Sequence, residues 1–260
     1  MNVQSKAAVL KERLFSGETV LGCFLSLGSP LTSELMGQAG YDWALVDLEH
    51  GAGGEAEALP QLQAIAATPA ASIVRVESNA RQRAHRVLDM GAHGVMFPRI
   101  DTAEDAAAAA AAMRYPPLGV RGVAFSNRVC EYGSNFRPYL EASAGALLTI
   151  VQIETRVAVE NVGEIAAVPG VDVLFIGPSD LSHSYGILGQ FDHPEFVQAI
   201  ERTAGAARAH GKALGILLPK PGDLDHYRGL GFRFIASGSD AVLLNNAARA
   251  LVASLREKLG

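Results

Sequence analysis

A single (β/α)8 barrel, the TIM-barrel class, is what this sequence predicts, and three observations predict it. The chain holds eight short apolar runs rich in β-branched residues, each followed by a segment of helical periodicity. Continuous apolar runs of that length suit strands buried on both faces of a parallel sheet. The units follow one another without a linker-like stretch, and 260 residues sit close to the ~250 common for such a barrel. A doubly wound sheet is the competing fold. It would want a Gly-rich fingerprint after the first strand, and Gly22 and Gly28 do not supply one.

Residues 3–16 read as a helix ahead of the barrel. Val20 to Leu27 is the first strand, broken by Gly28-Ser-Pro, and Thr32 to Gly40 is a helix with Thr32 as its N-cap. Trp43 to Asp47 is the second strand, and Glu55 to Ala67 its helix. Ala71 to Val76 and Gly94 to Pro98 are strands three and four, with a helix over Ala80 to Gly91 between them. Thr102 to Met113 holds seven consecutive alanines from Ala106, a strong helix former small enough to pack closely on a sheet. Tyr115 to Ala142, with Pro116-Pro117 and several glycines, reads as a long irregular segment, which is unusual unless it serves a function. Leu148 to Glu154 and the run from Val173 are strands five and six around a helix at Val157 to Val168. A helix over His193 to Gly211, a strand at Ala213 to Leu217 and a short helix over Gly222 to Gly231 come next. Phe232 to Ser237 is the eighth strand, and the final helix runs from Ser239. The whole chain, 1–260, reads as one domain.

Composition narrows the function. A net charge of −5 and no Lys/Arg cluster argue against nucleic acid or an anionic membrane as partner. Cys23 and Cys130 are too few and too distant for a disulfide framework, so a reduced, cytoplasmic protein is expected. The start alternates charged and apolar residues, unlike a signal peptide, and no segment approaches the ~18 apolar residues of a membrane span.

Active sites of such barrels lie at the C-terminal ends of the strands. The polar residues there are Asp47, Glu49 and His50, then Arg75, Gln152 and Glu154, then Ser179 and Asp180. Glu154 and Asp180 end neighbouring strands and make a hard, oxygen-only pair suited to Mg²⁺ or Mn²⁺. The alternative is that each caps a helix or pairs with an arginine. Asp47, three residues before His50, could fix the imidazole tautomer and raise its basicity, giving a general base. His50 as a third metal ligand or as a plain loop histidine are the other readings. Arg75 suits a carboxylate or a developing oxyanion, or an ion pair with Asp47 or Glu154. Gln152 points the same way as Glu154 and could donate to a substrate oxygen. The turn at Gly177-Pro-Ser-Asp180 offers main-chain N–H groups at a helix start, a seat for a carboxylate. Arg121 could reach a second substrate or anchor its loop.

Set side by side, these pieces resemble the HpcH/HpaI aldolase family of metal-dependent class II pyruvate aldolases. The resemblance is carried, in order, by Val46-Asp-Leu-Glu-His-Gly51, Ile73-Val-Arg-Val76, Met96-Phe-Pro-Arg99 and Tyr115-Pro-Pro-Leu-Gly-Val-Arg-Gly122. Val151-Gln-Ile-Glu154, Phe175-Ile-Gly-Pro-Ser-Asp-Leu181 and Gly238-Ser-Asp240 complete it. It implies a divalent ion (Mg²⁺, Mn²⁺ or Co²⁺) held by Glu154 and Asp180, with pyruvate chelating it. Arg75, Gln152 and the Ser179 main chain would hold the pyruvate oxygens, and an Asp47–His50 dyad would deprotonate the methyl group. It also implies a homohexamer, a trimer of dimers that exchange the last helix. Acceptor specificity would then lie in the 121–137 loop and in contacts with a neighbouring subunit. Leu48 departs from the Gly or Met frequent in the family. Two other lyases compete: a Schiff-base aldolase using Lys220, and a CoA-ester lyase of the citrate lyase β-subunit type, for which no nucleotide-binding cations are in view.

Overall fold

Strands apolar along their whole length must be covered on both faces, and a closed parallel barrel wrapped in helices does this. The computed structural model describes residues 3–259. Its first half runs α1 (Val3–Phe15), β1 (Val20–Leu25), α2 (Pro30–Gln38), β2 (Trp43–Asp47), α3 (Glu55–Ala66), β3 (Ala71–Arg75), α4 (Arg81–Asp89) and β4 (Gly94–Phe97). Next come α5 (Ala103–Ala112), α6 (Phe136–Ala146), β5 (Leu148–Ile153), α7 (Arg156–Glu160), α8 (Val162–Ala167), β6 (Val173–Ile176) and α9 (Pro178–Ser184). The chain finishes with α10 (Pro194–Ala209), β7 (Ala213–Leu217), α11 (Leu224–Gly229), β8 (Phe232–Ser239) and α12 (Asp240–Leu259). The eight strands pair in sequence order, all parallel, and β8 closes on β1.

Period-two alternation divides the core into two layers. Ala44 and Val46 face the helices, whereas Trp43 and Leu45 join Ile73, Met96, Ile150 and Phe175 inside the barrel. The Trp43 indole stacks on Phe234 with centroids 4.1 Å apart. Gly22 makes that stack possible, because a Cβ there would lie 2.1 Å from the indole. Leu10 and Leu14 of α1 belong to the same inner cluster, so the helix ahead of the barrel closes its N-terminal end. The Lys11 ammonium holds it there, 2.9 Å from Asp172. The C-terminal mouth is left open.

The local expectations differ from the structure in three places. Pro30, whose fixed φ suits a first helical position, starts α2 two residues early, so Ser29 rather than Thr32 is the N-cap. The 115–142 segment gives way to the helix α6 in its last quarter. Tyr139, Ser143 and Ala146 form the buried face of α6, and Pro138 is tolerated because it falls in the first turn. The single helix expected at 157–168 is split at Asn161, whose side-chain amide donates to the Asp101 carbonyl at 2.8 Å. The last helix, α12, leaves the barrel. Asp240 is its buried residue, while Val242, Leu244, Leu251 and Leu255 are each at least half exposed.

Candidate active site

Strand alternation carries Asp47, Arg75 and Gln152 to the inside of the barrel, above its apolar filling. Asp47 and Arg75 are register partners on β2 and β3. Arg75 Nε donates to Asp47 Oδ1 at 2.9 Å and Nη2 to Oδ2 at 2.7 Å, a two-point fork that fixes the guanidinium plane. Its remaining nitrogen, Nη1, lies 3.1 Å from Glu49 Oε2 and reaches Gln152 Oε1 at 3.5 Å. The Phe24 ring lies 5.1 Å from the guanidinium carbon. Burial opposes the charge on Arg75, but Asp47, Glu49 and Glu154 outweigh it and hold the group protonated.

Glu154 follows β5 and is almost wholly buried. Its Oε1 accepts the Arg99 main-chain N–H at 2.8 Å, and its Oε2 accepts Gln152 Nε2 at 2.7 Å. Arg99 adopts a left-handed φ of +50°, at a cost of roughly 1–2 kcal/mol for a residue with a side chain. Burial pushes the Glu154 carboxyl up to about 7, helped by the charges of Glu49 and Asp180 and opposed by the Arg99 N–H and Arg75. Gly177 completes this pocket by what it lacks: a Cβ there would sit 2.6 Å from Glu154 Oε2.

Asp180 and Ser179 are exposed in the first turn of α9, where main-chain N–H groups have no partner within the helix. With Asp47, His50, Arg75, Gln152 and Gly177 they line one cavity of about 640 Å³, whose other wall includes Leu217, Pro219, Val242 and Leu243. Glu154, Arg99 and Glu49 line an adjoining hollow of about 360 Å³, and His50 and Asp180 border both. The mouth expected from the sequence is thus assembled.

Three residues take the plainer of the places the sequence left open. The His50 imidazole is 66% exposed and lies 3.9 Å from Glu49, while the Asp47 carboxylate accepts the His50 main-chain N–H at 3.3 Å. The two side chains do not close a dyad; Asp47 is engaged with Arg75. Arg121 is fully buried away from the cavity. It donates to Tyr139 and Asp89, at 2.8 and 2.9 Å, and lies over the Tyr115 ring, so of its two readings the loop anchor is the one seen. Lys220 lines a separate hollow with Asp223 and His226, outside the cavity that holds Arg75. Sequence reasoning missed Arg99, Phe24 and Ser26 and gave Glu49 no role. Their signal was position alone, at the C-terminal ends of β4, β1 and β2.

A divalent cation fits Glu154 and Asp180. The donors are hard oxygens, and Glu154 carries a buried charge that two further carboxylates raise in cost. Among the described residues no group of three His, Cys, Asp or Glu is placed to hold an ion. The protein's share would be two carboxylates, leaving coordination positions to water and substrate, as suits Mg²⁺.

Comparison with other proteins gives the family and agrees with the fold. A family profile described as HpcH/HpaI aldolase/citrate lyase matches residues 20–247. The 5-keto-4-deoxy-D-glucarate aldolase of Salmonella paratyphi C (strain RKS4594) is 41% identical over 230 residues, covering 88% of this chain and 90% of that protein. The crystal structure of an HpcH/HpaI aldolase/citrate lyase family protein from Burkholderia cenocepacia J2315 superposes with a TM-score of 0.91 at 39% identity, over 96% of this chain and 99% of that one. An HpcH/HpaI aldolase from Desulfitobacterium hafniense DCB-2 gives 0.89 at 29% identity, over 95% and 96% of the two chains.

Proposed function

The chain belongs to the HpcH/HpaI aldolase/citrate lyase family, and from that premise we propose that it is a divalent-metal-dependent aldolase. It cleaves 4-hydroxy-2-oxo acids, reversibly, to pyruvate or a pyruvate analogue and an aldehyde. The observation that carries this reading is two adjoining hollows, one lined by a fixed arginine and an amide donor, the other by Glu154, with His50 and Asp180 bordering both.

Glu154 and Asp180 would hold the ion, which when bound supplies Lewis acidity to the substrate's ketone oxygen. Breaking the bond between C3 and C4 leaves negative charge on that oxo-acid fragment. Arg75, prevented from turning by its fork with Asp47, presents a positive charge to it without reorganising. Gln152 donates to Glu154 and so keeps that carboxylate aimed; its amide also borders the substrate space. The start of α9 at Gly177 and Ser179 supplies main-chain donors for the substrate carboxylate. His50 takes the proton from the 4-hydroxyl as the aldehyde leaves and delivers a proton to C3 of the oxo-acid fragment to complete pyruvate; on reversal it takes the methyl proton and returns one to the new hydroxyl. Because its ring projects into the open mouth, it can exchange that proton with water.

The exposed apolar side chains of α12 support assembly through this helix, in a homo-oligomer of the family's trimer-of-dimers type. A cytoplasmic setting accords with two free, buried cysteines; among the described residues no helix is long and apolar enough to cross a membrane. The activity for which the Salmonella relative is named makes 5-keto-4-deoxy-D-glucarate the first substrate to try. Pyruvate release from it and from a panel of simpler 4-hydroxy-2-oxo acids, followed with lactate dehydrogenase, tests the proposal. Release by the wild type and its loss in Arg75→Ala is the expected result. No release from any member of the panel with Mg²⁺, Mn²⁺ or Co²⁺ present would overturn it.

A further inference from the structure

Asp240, the first residue of α12, is 2% exposed and lies outside the cavity lining. Its carboxylate is engaged by neutral donors. Oδ1 accepts from the Ser26 N–H (2.8 Å), the Ser26 hydroxyl (3.1 Å) and its own neighbour's N–H at Ala241 (2.9 Å). Oδ2 accepts from the Thr32 hydroxyl (2.8 Å) and the Leu27 N–H (3.4 Å). Apart from Ala241, every donor lies between the end of β1 and the first turn of α2. A buried carboxylate costs free energy unless its hydrogen bonds are met, so this turn is held tightly about it.

Ser26 passes the constraint on. Its carbonyl accepts the Ala52 N–H at 2.8 Å, and Ala52 lies two residues beyond His50. The other end of the same loop is held at Asp47, whose Oδ1 accepts the N–H groups of Glu49 and His50. His50 therefore sits between two clamps. One is the carboxylate of Asp47, and the other is the Ser26 carbonyl, set in place from behind by Asp240.

We propose that Asp240 is a positioning residue for His50, acting through Ser26 and Ala52, and that it ties the placement of the histidine to the seating of α12. The kinetic part of this rests on the aldolase reading; the clamp itself does not. If Asp240 only capped α12, its loss would loosen the start of that helix and leave the His50 loop as it was.

Amide hydrogen exchange and turnover separate the two. In Asp240→Ala, exchange across residues 48–54 should quicken by about tenfold or more, with 73–76 and 150–154 as in the wild type. Pyruvate release should lose roughly 10- to 100-fold in kcat, with KM within about twofold, because Arg75 and Gln152 are untouched. Asp240→Asn, which keeps one carbonyl acceptor, should fall between wild type and Asp240→Ala in both readings, and Thr32→Val should stay near wild type. Unchanged exchange across 48–54 in a folded Asp240→Ala overturns the proposal, as does a loss confined to KM. Should Asp240→Ala not fold, wild-type exchange across 48–54 in Asp240→Asn overturns it. Wild-type protein is assayed alongside: if it releases no pyruvate the aldolase reading has failed, and the exchange data still decide the clamp.

Discussion

Arg75 does two things at once, and the fork with Asp47 is why. Its Nε and Nη2 are committed to Asp47, so the charge it offers the cavity has a fixed direction. A lysine keeps the charge but cannot make the fork. Arg75→Lys should therefore lose about 10²- to 10³-fold in kcat, the usual cost of removing a pre-aligned donor, while the protein stays folded by circular dichroism. An activity within a factor of a few of wild type would remove the fork from the mechanism. At Gly177 the constraint is space. Gly177→Ala puts a methyl group within 2.6 Å of Glu154 Oε2, and should weaken Mn²⁺ binding by tenfold or more, read by titration calorimetry at about that threshold. Glu154 itself sets a pH dependence in ion-free protein. Its carboxyl is raised from 4.5 to about 7, so the folded state retains a proton that the unfolded chain has released. Stability from this group is full below pH 4.5 and is lost as pH rises through about 7, by about 3 kcal/mol in all. In chelator, the urea midpoint of the wild type should fall between pH 5 and 8 more steeply than that of Glu154→Gln; parallel slopes would contradict this. At this scale the sequence was legible where strand alternation decides direction, as for Asp47, Arg75 and Gln152. His50 was not, because a loop side chain's rotamer depends on the neighbours it meets, here Glu49, and not on its spacing from Asp47.

Among the elements, the eight strands were legible because a parallel barrel demands continuous apolar runs, which few other structures do. Helix boundaries were less so. The start of α2 went to Pro30 over Thr32, and α6 was hidden by Pro138 and the glycines before it, although its buried positions carry a helical period. The α9 helix is short, and its first turn doubles as the cavity rim, so its residues read as chemistry before they read as structure. The α12 helix raises a different point. A helix that buries one residue and exposes Leu244, Leu251, Val252 and Leu255 presents an apolar face that its own barrel does not cover. Replacing Leu251 and Leu255 together with glutamate should leave the barrel folded and shift the protein to a smaller species by sedimentation. An unchanged sedimentation coefficient would show that this face is not the one that assembles.

At the scale of the molecule, α1 closes one end of the barrel and the open end gathers the charges. Asp47, Glu49, Glu154 and Asp180 there face only Arg75 among the cations that line the two hollows with them, apart from Arg99 at the margin. The excess of negative charge around a buried carboxylate is what a divalent ion would relieve, and the proposed chemistry follows from its presence. The most direct test is pyruvate release from a 4-hydroxy-2-oxo acid by chelator-treated enzyme, before and after Mg²⁺, Mn²⁺ or Co²⁺ is restored, with borohydride added in parallel. Activity that vanishes with chelator, returns with the ion and is indifferent to borohydride is the predicted result. Activity that survives the chelator and is lost to borohydride would contradict it, and would move the chemistry from Glu154 and Asp180 to an imine-forming lysine such as Lys220.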